Sequence, residues 1–163
     1  YFKSVFSIKD SLSDLDKELL EIGINRFTKF KNLDFLNKTK EFSREEIQKA
    51  KSLSNEADDY FDKKQYLEAI KLYKEANAII PTESAYIENI ARAYMLSEDF
   101  ENSIENFKTL ISKYDISSGE PEFYIAAMLF KLYKKSECCE YLNRSIRKGY
   151  YPSKKLSEQL CLN

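Results

Sequence analysis

The sequence predicts an all-α protein made of paired helices. Only three glycines and three prolines occur among 163 residues, and no run alternates between apolar and polar residues as a half-buried strand would. One pattern of small and aromatic residues also occurs twice, at an offset of 91 − 57 = 34 residues, which is the length of a helical hairpin repeat. The first copy contains Ala57, Tyr60, Tyr66, Ala69, Tyr73, Ala76 and Pro81, and the second contains Ala91, Tyr94, Phe100, Ser103, Phe107, Leu110 and Asp115.

Residues 1–42 are expected to form an N-terminal helical segment that packs as a cap. Asp10 or Ser11 can cap a helix, and apolar residues then follow at steps of three and four up to Phe27. A helix with one apolar face must pack on another part of the protein. Ser43 and Glu46 have the spacing of a capping box, which predicts that the next helix begins there.

Three hairpins and a short last helix are predicted after this segment. The hairpins span about 44–81, 82–116 and 120–149, and a capping helix spans 153–161. The third hairpin is aligned with the second at an offset of 127 − 91 = 36, which pairs Ala127 with Cys139. Gly149 is expected at the left-handed position that follows a helix end.

The composition restricts the class of partner. With 26 basic and 27 acidic residues the net charge is −1, whereas a nucleic-acid-binding protein needs a basic excess. No apolar run approaches the roughly 20 residues that cross a bilayer, so we expect a soluble chain without membrane insertion. Because the sequence begins at Tyr1 rather than at methionine, we expect an excised fragment or a processed product.

The three cysteines favour a reducing compartment. Cys138 and Cys139 are neighbours on a predicted helix, where a disulfide between them would be strained, and Cys161 lies near the end of the sequence. We therefore expect reduced thiols and a cytoplasmic location. Cys138 and Cys139 could be a redox pair, but the preferred interpretation makes Cys139 the small buried residue of the third hairpin and leaves Cys138 without a role.

The repeated residues resemble the tetratricopeptide repeat (TPR) family, over about residues 50–150. Alanine or another small residue occurs where the paired helices of such a hairpin touch, and the aromatic position holds Tyr60, Tyr94 and Phe130. The resemblance implies a right-handed superhelix of hairpins that stack into a continuous core. It also implies that the first helix of each hairpin lines a concave groove that binds peptides.

Carrying the groove positions over to this sequence gives a set of candidate binding residues. Apolar side chains concentrate in the second and third hairpins, together with two cations that can pair with carboxylates. The alternative is that these side chains cover intramolecular surface, for instance an N-terminal helix folded into the groove. The candidate residues are Asn89, Arg92, Met95, Leu96, Tyr124, Met128 and Lys131.

The sequence shows few of the residue patterns that catalysis commonly requires. Histidine is absent, so the commonest general base is missing, and isolated glycines form no phosphate-binding loop. Asp58 and Asp59 are adjacent carboxylates, but neighbouring helical residues diverge, and a solvated acidic face explains them better. No cysteine and histidine spacing typical of a metal site occurs, and we expect no cofactor.

The leading hypothesis is a non-enzymatic protein-interaction module that binds a peptide segment of a partner in its groove. One alternative is a free-standing secretion chaperone that resembles the type III class II chaperones. Another is an accessory TPR domain of a larger enzyme.

Overall fold

A computed structural model describes residues 42–161, and these form seven helices without a strand. The all-α class is therefore confirmed for this part of the protein. The expected N-terminal cap lies outside the described residues, apart from Phe42. The helices are α1 (Arg44–Asp62), α2 (Tyr66–Ile79), α3 (Ser84–Leu96), α4 (Phe100–Lys113), α5 (Glu120–Lys131), α6 (Lys135–Arg147) and α7 (Tyr151–Leu160).

Side-chain caps fix where several helices begin. Ser43 and Glu46 form the predicted capping box, in which the Glu46 amide donates to Ser43 Oγ at 3.2 Å and the Ser43 amide donates to Glu46 Oε2 at 2.7 Å. Hydrogen bonds from the Ser43 amide and, to a lesser extent, from the Ser43 hydroxyl lower the pKa of Glu46, because they favour its charged carboxylate. Asp99 caps α4 by accepting from the Asn102 amide.

The first three hairpin turns share one backbone geometry. In each turn a residue in the left-handed region follows the helix end: Lys64, Glu98 and Tyr133 have φ near 60°. The next amide donates to a carbonyl five residues earlier, as Gln65 does to Tyr60 at 2.9 Å. The predicted left-handed Gly149, with φ of 78°, closes the turn after α6 in the same way.

The described residues form two compact units, residues 42–116 and residues 117–161. In the first unit α2 packs against both α1 and α3. Tyr73 of α2 lies in one buried cluster with residues such as Phe61 and Ile90. Ile80, at the end of α2, lies in a second cluster with Ala50 and Tyr86. Because α2 contributes to both clusters, it joins the first two hairpins into one core.

The second hairpin confirms the predicted close contact of small residues. Ala91 of α3 and Ser103 of α4 are fully buried, and Ser103 Oγ donates to the Ala91 carbonyl oxygen at 2.7 Å. A hydrogen bond between the paired helices requires their backbones to approach closely, which only small side chains permit. The first hairpin places Ala57 and Ala69 at the matching positions, and both are fully buried.

The predicted register of the third hairpin is wrong by one residue. Cys138 is the fully buried residue at the small position of α6, while Cys139 is half-exposed. The left-handed turn residues Glu98 and Tyr133 occupy equivalent positions in the second and third hairpins. They are 133 − 98 = 35 residues apart, so the offset between these hairpins is 35 rather than the predicted 36. The insertion before α5 therefore adds one residue to the repeat, and Leu129 rather than Phe130 matches Tyr94 at the helix end.

The expectation of three reduced cysteines is also wrong. Cys139 and Cys161 form a disulfide with a Cα–Cα distance of 5.8 Å, and Cys138 is a free thiol. The sequence obscured this pairing because 22 residues separate the two cysteines along the chain. The α6–α7 pair, which packs together, brings them into contact.

Candidate partner-binding residues

Four candidate residues lie on α3, within residues 42–116. Asn89, Arg92 and Met95 are only 3–4% exposed, and Leu96 is half-buried against the Tyr73 cluster. Arg92 Nε donates to Glu88 Oε1 at 3.1 Å, so the guanidinium forms an ion pair with the same helix one turn earlier. The Arg92 charge expected to face a partner carboxylate therefore already has an internal carboxylate partner.

Three candidate residues lie on α5, within residues 117–161. Tyr124 and Met128 are fully buried, and Lys131 is half-buried. The Tyr124 hydroxyl donates to Glu120 Oε1 at 2.8 Å, which satisfies its polar group without a ligand. Lys131 is the candidate on α5 whose side chain keeps contact with solvent.

The two helices that carry the candidates are buried around their circumference. In α5 every residue from Pro121 to Leu129 is buried, and α3 buries residues on all of its faces. By contrast, α1 buries only one stripe of residues, from Ile47 to Phe61, and exposes the opposite face. The structure thus places most of the predicted groove residues out of reach of solvent, and their role in binding stays a prediction.

The adjacent carboxylates on α1 have different environments. Asp58 is half-buried and accepts a 2.7 Å hydrogen bond from the Tyr73 hydroxyl, whereas Asp59 is exposed. Burial of Tyr73, strengthened by this bond and the nearby negative charge, raises the pKa of its phenol. The Asp58–Tyr73 bond thus links the two helices of the first hairpin.

An ion pair with a buried carboxylate joins α5 to the end of α6 in the third hairpin. Glu122 of α5 is 3% exposed, and its Oε1 lies 2.6 Å from the ammonium nitrogen of Lys148 at the end of α6. Its other oxygen is buried without a hydrogen-bond partner. Removing Lys148 would leave a buried carboxylate uncompensated, at a cost of about 3 to 5 kcal/mol. Sequence periodicity gives no signal for such a pair, because the two residues belong to different helices.

A hydrogen-bonded chain of small residues fixes the start of α5 against α6 and α7. Ser145 Oγ donates to the Gly119 carbonyl oxygen, and Ser153 Oγ donates to Ser145 Oγ at 2.6 Å. Gly119 is buried so tightly that a Cβ atom would lie 2.5 Å from the Ser145 carbonyl oxygen. Both serines are fully buried. This close approach explains why glycine precedes α5.

The comparisons with known proteins support the fold. The crystal structure of the Sgt2 TPR domain from Aspergillus fumigatus is similar to this chain, with a TM-score of 0.54 and 22% sequence identity. The similarity covers 72% of this chain and 82% of that chain. No family sequence model matches this chain, and no curated protein matches it at a significant level. The resemblance to TPR repeats is therefore confirmed at the level of the fold.

Proposed function

We propose that this chain is a non-enzymatic protein-interaction module that binds a peptide segment of a partner protein. The observation that carries the proposal is its series of TPR-type hairpins, with the short turns that hold each helix pair together. Stacked hairpins of this kind offer extended surfaces that suit peptide recognition. In the proposal, α3 and α5 supply the contacts through Asn89, Arg92, Met95, Leu96, Tyr124, Met128 and Lys131.

Access to these residues requires a conformational change. Five of the seven are at most 4% exposed, so a peptide reaches them only if the part of the chain that covers them moves away. The sequence-predicted amphipathic helix within residues 11–27, which lies outside the described residues, is the proposed cover. Peptide binding would then compete with an intramolecular contact, and removal of the cover would raise the apparent affinity.

The test uses the two candidates that solvent reaches. Leu96→Asn and Lys131→Glu are introduced together, and the partner is captured from native cells and identified by mass spectrometry. We expect the double variant to retain its helical circular dichroism and to bind the partner at least about tenfold more weakly, which corresponds to about 1.4 kcal/mol. Deletion of residues 1–40 should instead strengthen capture by whatever fraction of the truncated chain stays monomeric.

Lys71→Glu with Lys108→Glu is the matched control, since both side chains are exposed on second helices of hairpins. These changes should leave capture nearly unaffected. If the control pair abolished binding while the variants on α3 and α5 were silent, the interaction would belong to the second helices, and the proposal would be wrong.

We further propose that the protein matures in an oxidising compartment. The cytoplasmic expectation depended on reduced thiols, and the Cys139–Cys161 disulfide removes that basis. Disulfides form and persist mainly in secreted and extracytoplasmic proteins. No helix of the described residues is long and apolar enough to span a membrane.

Alkylation tests the compartment. The protein is isolated from native cells under acidic quenching, and its thiols are alkylated after unfolding and mapped by mass spectrometry. We expect alkylation of Cys138 alone, with Cys139 and Cys161 still joined. Alkylation of all three cysteines would place the protein in a reducing compartment.

A further inference from the structure

We propose that the turn between α6 and α7 docks an acidic segment of a partner protein. We call this surface the basic turn and define it by Arg147, Tyr151, Lys154 and Lys155, all of them exposed. The inference rests on the proposed interaction function and names the chemistry of a partner segment. It concerns a surface separate from the candidate residues of α3 and α5.

Positive charge accumulates at the basic turn, and the nearest acidic residue along α7 is Glu158, four residues after Lys154. Residues 144–155 contain five basic residues and no acidic one. Two of the five have carboxylate partners, since Arg144 pairs with Glu140 and Lys148 pairs with Glu122. Within residues 42–161, the other three basic residues form no ion pair. Their summed field attracts carboxylates, and the Arg147 guanidinium can bind one in a bidentate manner.

An exposed aromatic side chain lies beside these charges. Tyr151 is 82% exposed, although tyrosine normally buries most of its ring. As the first residue of α7 it precedes Lys154 and Lys155 by three and four positions, so all three share one side of the helix. Tyrosine and arginine, together with tryptophan, are the residue types most enriched among those that dominate binding energy at protein interfaces.

The basic turn is held rigidly. At the far end of α7, the Cys139–Cys161 disulfide ties the helix to α6. Near its start, the Ser153–Ser145 hydrogen bond does the same, and Leu156 is buried between these two attachments. A surface ordered before binding loses little conformational entropy when the ligand arrives, which favours measurable affinity from few contacts.

The charge distribution favours an acidic peptide over larger polyanions. The whole sequence has a net charge of −1, without the basic excess that binding of a long nucleic acid requires. Three unpaired cations are also fewer than the four to eight that typically recruit a protein to anionic lipid. A short peptide with several carboxylates and one apolar side chain matches the cations and the ring of Tyr151.

Fluorescence anisotropy with defined probes tests the proposal on the full chain. The probe is a labelled glutamate-rich peptide with one central phenylalanine, and its reference is the same peptide with glutamine in place of every glutamate. We expect the glutamate peptide to bind more tightly, with an affinity that falls as salt rises. The triple variant Arg147→Glu, Lys154→Glu, Lys155→Glu should weaken binding by about tenfold or more, and Tyr151→Ser by about threefold.

The matched control reverses three exposed cations elsewhere, as Arg44→Glu, Lys49→Glu, Lys71→Glu. It changes the net charge equally and should alter the affinity by less than about twofold. Equal binding of the two peptides, or equal losses in the two triple variants, would overturn the proposal. So would tighter binding of a single-stranded oligonucleotide or of phosphatidylserine vesicles through the same residues.

Failure of this proposal can be told apart from failure of the proposed function. If the basic turn does not bind the glutamate peptide but the native partner still depends on Leu96 and Lys131, only this proposal fails. If the peptide binds the basic turn while the variants on α3 and α5 leave partner capture intact, the proposed use of those helices fails instead.

Discussion

Gly119 shows how one missing side chain determines a helix contact. A Cβ atom at this position would meet the backbone of Ser145 at 2.5–3.0 Å, and a backbone cannot rotate away as a side chain can. Its φ of −81° is ordinary, so space alone requires glycine here. The requirement for glycine at position 119 thus comes from its contact with α6, a helix that lies later in the sequence.

We therefore expect Gly119→Ala to lower the free energy of unfolding by about 1 to 3 kcal/mol, the usual cost of overpacking. Urea unfolding followed by circular dichroism measures the change. Ser117→Ala, two residues earlier at an exposed position, is the control and should be nearly neutral. Equal stability of Gly119→Ala and the unchanged protein would show that α5 and α6 separate more easily than the structure indicates.

Glu98 is a position where a substitution should raise the free energy of unfolding rather than lower it. Its φ of 63° is costly for a residue with a Cβ atom, by about 1 to 2 kcal/mol relative to the right-handed region. Glycine adopts this conformation without that cost, although it loses more chain entropy on folding. Glu98→Gly should therefore raise the free energy of unfolding by up to about 1 kcal/mol.

Glu105→Gly is the matched comparison for this prediction, because Glu105 lies exposed in the interior of α4. There glycine should lower stability by about 0.5 to 1 kcal/mol. Thermal unfolding of the two variants should give shifts of opposite sign. Two shifts of the same sign would contradict the assignment of a left-handed turn at Glu98.

The thiol of Cys138 responds to pH in a predictable way. Burial raises its pKa to about 12, because the thiolate would lose its hydration. We expect the native protein to resist iodoacetamide at mildly alkaline pH and to react once unfolded. Since the native pKa exceeds the ordinary value of 9.0, this group stabilises the fold below pH 9.0, and its contribution is lost as the pH rises towards 12. Rapid alkylation of the native protein would contradict its burial.

At the scale of elements, the disulfide determines how firmly α7 is attached. It closes a loop between residues 22 positions apart, which restricts the unfolded chain and is worth about 3 kcal/mol. Cys161→Ser should lose about this stability, and hydrogen exchange should accelerate most in α7.

Reduction provides the internal control for the disulfide. A dithiol reductant should destabilise the unchanged protein to the level of Cys161→Ser and should leave that variant unaltered. If reduction left the exchange rates of α7 unchanged, then packing of Leu156 and Leu160 would be sufficient to hold the helix without the disulfide.

At the scale of the whole molecule, the burial of α3 and α5 predicts the result of a truncation. Met95, Tyr124 and Met128 are nearly or fully buried within the complete chain. If residues 1–40 contribute to their cover, deletion should expose apolar surface, and the truncated chain should aggregate or bind a hydrophobic dye. A monomeric truncated chain of equal stability, without dye binding, would show that residues 1–40 are dispensable for the core.

Local sequence was sufficient to predict the helices and the turns between them. The capping box at Ser43, the helix of the first repeat that ends before Pro81 and the left-handed Gly149 all depend on residues within a few positions of one another. Hairpin pairing followed from the 34-residue period, because small residues must recur wherever paired helices touch. Together these features predict the TPR fold, which the comparison with a solved structure supports.

The tertiary structure decided whatever depends on contacts between distant residues. It showed that Cys138, not Cys139, is the buried partner in the third hairpin, because a single inserted residue turns a helix by about 100° and exchanges neighbouring positions. It joined Cys139 to Cys161 and Glu122 to Lys148, and it buried candidates such as Met128 that an open groove would expose. Sequence periodicity determines which face of a helix is apolar, but only packing determines what covers that face.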